Sequence, residues 1–166
     1  MELDQAKIKF IQSWGTLGTS WGINKTMAQI HALLLVSTEA LSADEIMTQL
    51  KISRGNTNTN VRTLIDWGIV TKETKIGERK EFFVADKDIW AVARQITRER
   101  RKREIEPLKK VLSELADIKG EDVETQKFNE MIGELDTFTN KVDDIFDKFI
   151  KSDEHWFYKT LFKLVK

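Results

Sequence analysis

The chain has 166 residues, 40% of them hydrophobic and 33% charged, enough apolar matter to build one or two small cores and too much for disorder over most of the length. Its zero cysteines exclude a disulfide framework, a thiolate zinc site and a cysteine nucleophile. The net charge of zero argues against a polyanionic partner until it is resolved along the chain: Lys51 to Glu104 holds 14 basic against 8 acidic residues, while the flanks carry −2 before it and −4 after it.

No run approaches the roughly 20 apolar residues that cross a bilayer, and the opening MELDQAKIKF is acidic where a signal peptide carries a basic start. The reading is a cytoplasmic protein with no membrane association. A single proline, Pro107, leaves long helices open almost everywhere.

In chain order, Phe10, Ile11, Trp14, Leu17, Gly18 and Trp21 recur at helical steps, predicting an amphipathic first helix with an aromatic face. Thr26 is the expected N-cap of a second helix, MAQIHALLLVS, apolar nearly all round. A turn from Thr38 to Leu41 leads into Ser42-Ala-Asp-Glu45, the capping-box pattern, and a short helix, ADEIMTQL. Ser53 repeats the cap signal and opens RGNTNTNVRTLIDW, ending near Gly68. Two short helices joined by a tight turn read as a helix-turn-helix.

IVTKETK and KEFFVA favour strands and flank Ile76 to Arg79, with Gly77 supplying the turn, so a hairpin wing follows. From about Asp88 a long helix is expected, with a solvated middle at TRERRKRE and a break at Gly120. A second long helix then carries Phe128, Met131, Ile132, Leu135, Phe138, Val142, Ile145, Phe146 and Phe149. Such stripes are poorly buried within one small unit, which predicts a homodimer. The last segment, HWFYKTLFKLVK, reads as one more amphipathic piece. The fold class is mainly α with a small β-wing: a winged helix-turn-helix domain with an N-terminal helix over residues 1–88, and a long α-helical dimerisation region over 89–166.

On the helix RGNTNTNVRTLIDW, Thr57, Val61, Leu64 and Ile65 share an apolar face, leaving Gly55, Asn56, Thr59, Arg62 and Thr63 opposite, flanked by Asn58 and Asn60. Short amides, hydroxyls and arginine are the groups that bond to base edges and phosphates. A solvated polar face is the bland alternative, but the low helix propensity of an Asn-rich face calls for another reason. Lys75, Arg79 and Lys80 around Gly77 suit a minor groove or its phosphates. Arg98 to Glu104 reads first as an exposed connector with favourable i,i+4 pairs, adding to the attractive field.

His31 reads as a core or interface histidine. No carboxylate pair, phosphate loop or nucleophile motif accompanies it or His155, so no catalytic site, metal or cofactor is expected. Asp136, Asp143, Asp144 and Asp147 read as a solvated face before a cation site. Trp14, Trp21 and Trp90 read first as core packing, with an aromatic cage for a quaternary ammonium as the sharper alternative.

WGTLGTSWGINKTMAQIHALLLVS, LSADEIMTQLKISRGNTNTNVRTLIDWGIV and GERKEFFVADKDIWAVARQITRERRKREIEP together resemble the MarR superfamily of winged-helix regulators, and within it the GbsR-like branch, over roughly Phe10 to Pro107. The resemblance implies a transcriptional regulator and a dimer on a pseudo-palindromic double-stranded DNA operator. Recognition helices 53–67 would lie in successive major grooves, begun by the motif Ser53-Arg54-Gly55-Asn56, and wings 75–80 would reach outward with Arg79 as the wing arginine. The branch's association with choline- or betaine-type solutes makes a small quaternary-ammonium or other effector a candidate partner. The rival readings are a winged helix used for protein interaction, and lipid sensing through the C-terminal segment.

Overall fold

Polar caps set the boundaries of the first helices. The computed structural model describes residues 1–152, and in it α1 runs Leu3–Ser20 and α2 Lys25–Val36. The cap of α2 is Asn24, whose side-chain oxygen accepts from the Met27 backbone N–H at 3.1 Å, two residues upstream of the expected Thr26. The helix α1 turns Ile11, Gly15 and Gly18 inward, while Leu17 and Trp21 stay 45% and 53% exposed. Its aromatic residues therefore line the flank of the packed face: Phe10 and Trp14 stack on each other with centroids 5.4 Å apart.

The capping box forms as expected. Ser42 Oγ accepts from the Glu45 N–H and Glu45 Oε2 accepts from the Ser42 N–H at 2.7 Å, opening α3 (Ala43–Leu50). Hydrogen bonding from Ser42 holds the Glu45 carboxyl below its ordinary pKa. Lys51, in the left-handed conformation at φ 54°, ends α3 and makes the tight turn. Ser53 then accepts from the Asn56 N–H and starts α4 (Arg54–Asp66).

A strand precedes α3 where the sequence suggests only a turn: β1, Leu41–Ser42, pairs antiparallel with β3 (Glu81–Ala85), and β3 pairs on its other edge with β2 (Val70–Thr74). The central position of β3 buries the adjacent residues Phe82 and Phe83 together, breaking simple alternation. Ile30, Leu34, Ile46, Val61, Leu64 and Ile69 complete this core, each at most 2% exposed. This is a winged helix-turn-helix, mainly α with a small three-stranded antiparallel sheet.

The chain divides into two compact units, the first Met1–Val92 and the second beginning at Ala93. Asp88 caps α5 (Ile89–Arg100), accepting from the Trp90 and Ala91 N–H groups. The expected long helix is interrupted by a π-helical turn, Arg101–Ile105, before α6 (Glu106–Leu115). Pro107 offers no N–H and crowds the preceding turn. The backbone widens instead, and Glu106 N–H reaches back five residues to the Arg101 carbonyl.

The helix α6 stops at Leu115, ahead of Gly120, because Ala116 turns extended and Asp117 adopts φ 60°. Asp122 caps α7 (Val123–Lys151). Within this hairpin Asn129 donates to the Ile118 carbonyl and accepts from its N–H. Contrary to the solvated reading, Asp143 is buried, ion-paired to Arg101 at 2.5 Å and Lys109 at 2.8 Å. The Arg98 to Glu104 connector forms the expected Arg100–Glu104 pair, yet Arg101 turns inward to Asp143. The segment HWFYKTLFKLVK, with His155, lies outside the described residues.

Candidate nucleic-acid interface

The helix α4 is anchored by its inner face and presents the outer one. Thr57 is fully buried with its hydroxyl donating to the Ser53 carbonyl, and Val61 and Leu64 sit in the core. About half a turn round the helix, Arg54, Gly55, Asn58, Thr59 and Arg62 are exposed, with Ser53 and Asn56 exposed at its start. Thr63 is half-buried, its hydroxyl returned to the Thr59 carbonyl at 3.0 Å.

Asn60 stands apart from the expected face. It is buried at 7% exposure, and its amide donates to the Asn56 carbonyl at 2.8 Å and to the Asn56 side-chain oxygen at 2.7 Å. The structure thus makes it a brace within α4. Asn56 is held in turn, donating to Thr26 Oγ1 at 3.4 Å. Arg54 reaches Asp44 of α3 at 2.7 Å across an exposed pair. Such a pair stabilises by only about 0–1 kcal/mol, so its guanidinium exchanges readily onto a competing anion.

Gly55 carries a sharper signal. A Cβ built there meets nothing within 4 Å, so packing within the chain does not require glycine, which costs a helix about 1 kcal/mol relative to alanine. The residue leaves open space on the outer face, at the end of α4 where unpaired N–H groups favour anions.

Every residue of the wing from Thr71 to Glu81 is exposed, and Gly77 makes its turn at φ 85°. The Lys75 ammonium lies 4.3 Å from the Phe82 ring centroid, a cation–π contact that steadies the wing's base. Lys72 pairs with Glu81 across the two strands at 2.5 Å. Arg79 and Lys80 are exposed, and Ile76 is fully exposed at the tip, an apolar wing residue that sequence reading treated only as turn.

Lys87 was also missed. Its ammonium donates to the carbonyls of Leu34, Leu35 and Ser37 at 2.6, 2.7 and 3.0 Å, closing the C-terminal end of α2. No local motif marks it, because its partners lie fifty residues upstream. Burial lowers its pKa. His31 is a core residue at 3% exposure; burial, with Lys87 nearby, lowers its pKa to about 4 and keeps it neutral.

An open cleft of about 390 Å³ lies between α3 and the wing, lined by Asp44, Glu45, Thr48, Glu78, Lys80 and Phe82. It includes none of the candidate pocket residues: Trp14 is half-buried against Phe10, Trp90 is half-buried and Trp21 is exposed. Among the described residues no three carboxylates or histidines gather as a metal would require, and no helix is long and apolar enough to cross a membrane.

No family model matches the chain. It is 28% identical over 88 residues to the HTH-type transcriptional repressor GbsR of Bacillus subtilis (strain 168), a match covering 53% of this chain and 48% of that protein. The match therefore spans about half the length of that relative. The crystal structure of a transcriptional regulator has the same fold, with a TM-score of 0.67 at 20% identity, covering 87% of this chain and 95% of that one. The chain is a winged helix-turn-helix protein similar to a transcriptional repressor.

Proposed function

We propose that the chain is a sequence-specific DNA-binding transcriptional regulator, a repressor that acts as a homodimer by occupying a pseudo-palindromic operator. The observation that carries this reading is the pairing of an outward polar face on α4, from Arg54 to Arg62, with an exposed basic wing, Lys75 to Lys80. The likeness to a named repressor supports it. Arg54, Asn58, Thr59 and Arg62 would meet base edges and phosphates in the major groove, with Gly55 admitting a close backbone approach. Arg79 and Lys80 would meet the neighbouring phosphates or minor groove. The chemistry is recognition, with no catalytic step.

A small effector, a quaternary ammonium among the candidates, would act by favouring one dimer geometry over another and so changing the spacing of the two α4 helices. Trp14, Trp21 and Trp90 remain the aromatic residues to test for it.

The test is fluorescence anisotropy with DNA from upstream of the protein's own gene, in a salt series beside a scrambled duplex. Tight binding that prefers the native sequence and falls steeply with salt is expected. Equal binding to both duplexes, or no salt dependence, overturns the reading and leaves the winged helix as a protein-interaction module.

A further inference from the structure

A hairpin turn is where glycine, proline and short polar residues belong, and the wing departs from that rule at one position. The Glu78 N–H donates to the Lys75 carbonyl at 3.0 Å, closing the turn Lys75-Ile76-Gly77-Glu78. Gly77, at φ 85°, takes the third position, which a type II turn reserves for glycine, so Ile76 sits at the second, a projecting corner. It is fully exposed, more so than any other large apolar side chain among the described residues. Packing within the chain gives no reason for a branched aliphatic residue there.

The corner is held in place. Strand pairing continues out to Thr74 opposite Glu81, and the Lys75 ammonium over the Phe82 ring ties the residue before Ile76 to the base of the wing. What Ile76 can meet is limited by its surroundings. Residues 71–75 and 77–81 hold no other apolar side chain, so no contiguous patch is offered to a partner protein, whose contacts need an apolar centre. Between 75 and 80 they hold Lys75, Arg79 and Lys80 against the single acid Glu78, a balance that draws the tip toward a polyanion.

We propose that Ile76 enters the minor groove of the bound DNA and reads its floor, accepting A·T pairs and rejecting G·C pairs. This rests on the DNA-binding reading above and adds a specificity-determining residue to it.

The groove suits a lone apolar corner. It is about 6 Å wide, and the ends of a β-turn lie up to about 7 Å apart, so the backbone stays at the rim and the corner side chain alone descends. The walls it meets are deoxyribose C–H groups, which match an aliphatic residue. On the floor, A·T pairs show only acceptors, adenine N3 and thymine O2, whereas a G·C pair adds the guanine amino donor. Arginine carries donors and no acceptor, so Arg79, exposed beside the turn, can bond to the first kind of floor and not to the second. The one carboxylate of the tip, Glu78, lines the cleft toward α3. A guanine amino group beneath Ile76 therefore loses its water and gains no partner, the costly outcome for a polar group.

The test varies minor-groove chemistry within one sequence, using the full chain. The duplex from upstream of the protein's own gene is made in three forms: with ordinary bases, with diaminopurine replacing adenine, and with inosine replacing guanine. Diaminopurine adds the minor-groove amino group to every A·T pair, inosine removes it from every G·C pair, and the major-groove edges keep their hydrogen-bonding groups. In anisotropy titrations we expect the parent to bind the diaminopurine form at least about tenfold more weakly than the ordinary one, and the inosine form no more weakly. Ile76→Ala should lose about tenfold on the ordinary duplex and shrink the diaminopurine ratio to about threefold or less, while Ile76→Val keeps most of both. Because Ile76 is fully exposed, both variants should match the parent in circular dichroism and thermal midpoint. An equal diaminopurine ratio in parent and Ile76→Ala overturns the role of Ile76 even where sequence-specific binding is intact, and so does a parent indifferent to the added amino group. A parent that binds no form in preference to a scrambled duplex removes the regulator reading, and the role of Ile76 falls with it.

Discussion

The Asp143 carboxylate accepts from Arg101 Nε at 2.5 Å and from the Lys109 ammonium at 2.8 Å, so a single anion on α7 ties down both the π-helical turn and α6. The bond from Arg101 chiefly, and that from Lys109, lower its pKa to about 2 against the opposing effect of burial. Asp143→Asn leaves two cations facing each other. Breaking a buried pair costs about 3–5 kcal/mol, but Arg101 and Lys109 are 30% and 36% exposed, so about 2 kcal/mol is expected. Because the folded pKa is depressed, the stabilisation is present above the ordinary value of 3.8 and is lost as pH falls toward 2. Urea unfolding of parent and variant should differ at pH 7 and converge near pH 2; an equal gap at both counts against the ionic account.

His31 titrates in the same sense at higher pH. Its folded pKa of about 4 lies below the ordinary 6.5, so between those values the unfolded chain binds a proton that the native core refuses, with Lys87 adding repulsion. Stability should decline by up to about 3 kcal/mol as pH falls from 6.5 to 4. The decline should flatten in His31→Leu, as read by thermal unfolding across that window. A parent curve level from pH 7 to 4 would refute this.

The glycines separate by what surrounds them. A Cβ on Gly18 comes 2.6 Å from the Ala28 Cβ, a rigid neighbour, whereas one on Gly15 meets the Gln29 side chain, which has rotamers to move into. Gly18→Ala is expected to cost about 1–3 kcal/mol, and Gly15→Ala less. Gly55→Ala, with open space around it, should stabilise α4 by up to about 1 kcal/mol while weakening DNA binding. Chemical denaturation of the three variants gives the order, and a stable Gly55→Ala with parental DNA affinity would show that no close approach occurs there.

Arg62 and Asn60 are neighbours on α4 with opposite expected roles. Arg62→Ala should leave unfolding unchanged, weaken operator binding and reduce the salt slope by about one. Asn60→Ala removes two bonds internal to α4 and should cost about 1 kcal/mol of stability with affinity retained in the folded protein. If the two effects exchange places, the assigned face of α4 is wrong.

What the sequence determined by itself depends on neighbours in the chain. The Ser42–Glu45 box, the Ser53 cap, the Gly77 turn and the order of helix, turn, helix and hairpin need contacts only a few residues long, and each formed where the residues placed it. The seven-residue rhythm of α7 was equally legible, since it is a property of spacing alone.

The tertiary structure decided which side of each pattern faces inward. Asn60 belongs to the polar set by composition, yet the packing of α4 turns it into the fold; Asp143 looks solvated until Arg101, forty-two residues away, meets it. The strand β1 is too short to show alternation and exists because β3 offers it an edge. Likewise the apolar stripe of α7 was visible as a stripe, but only the folded hairpin shows that α6 packs beside it and leaves it exposed. Burial is set by the sum of distant contacts, and a local pattern constrains it only to within a choice of face.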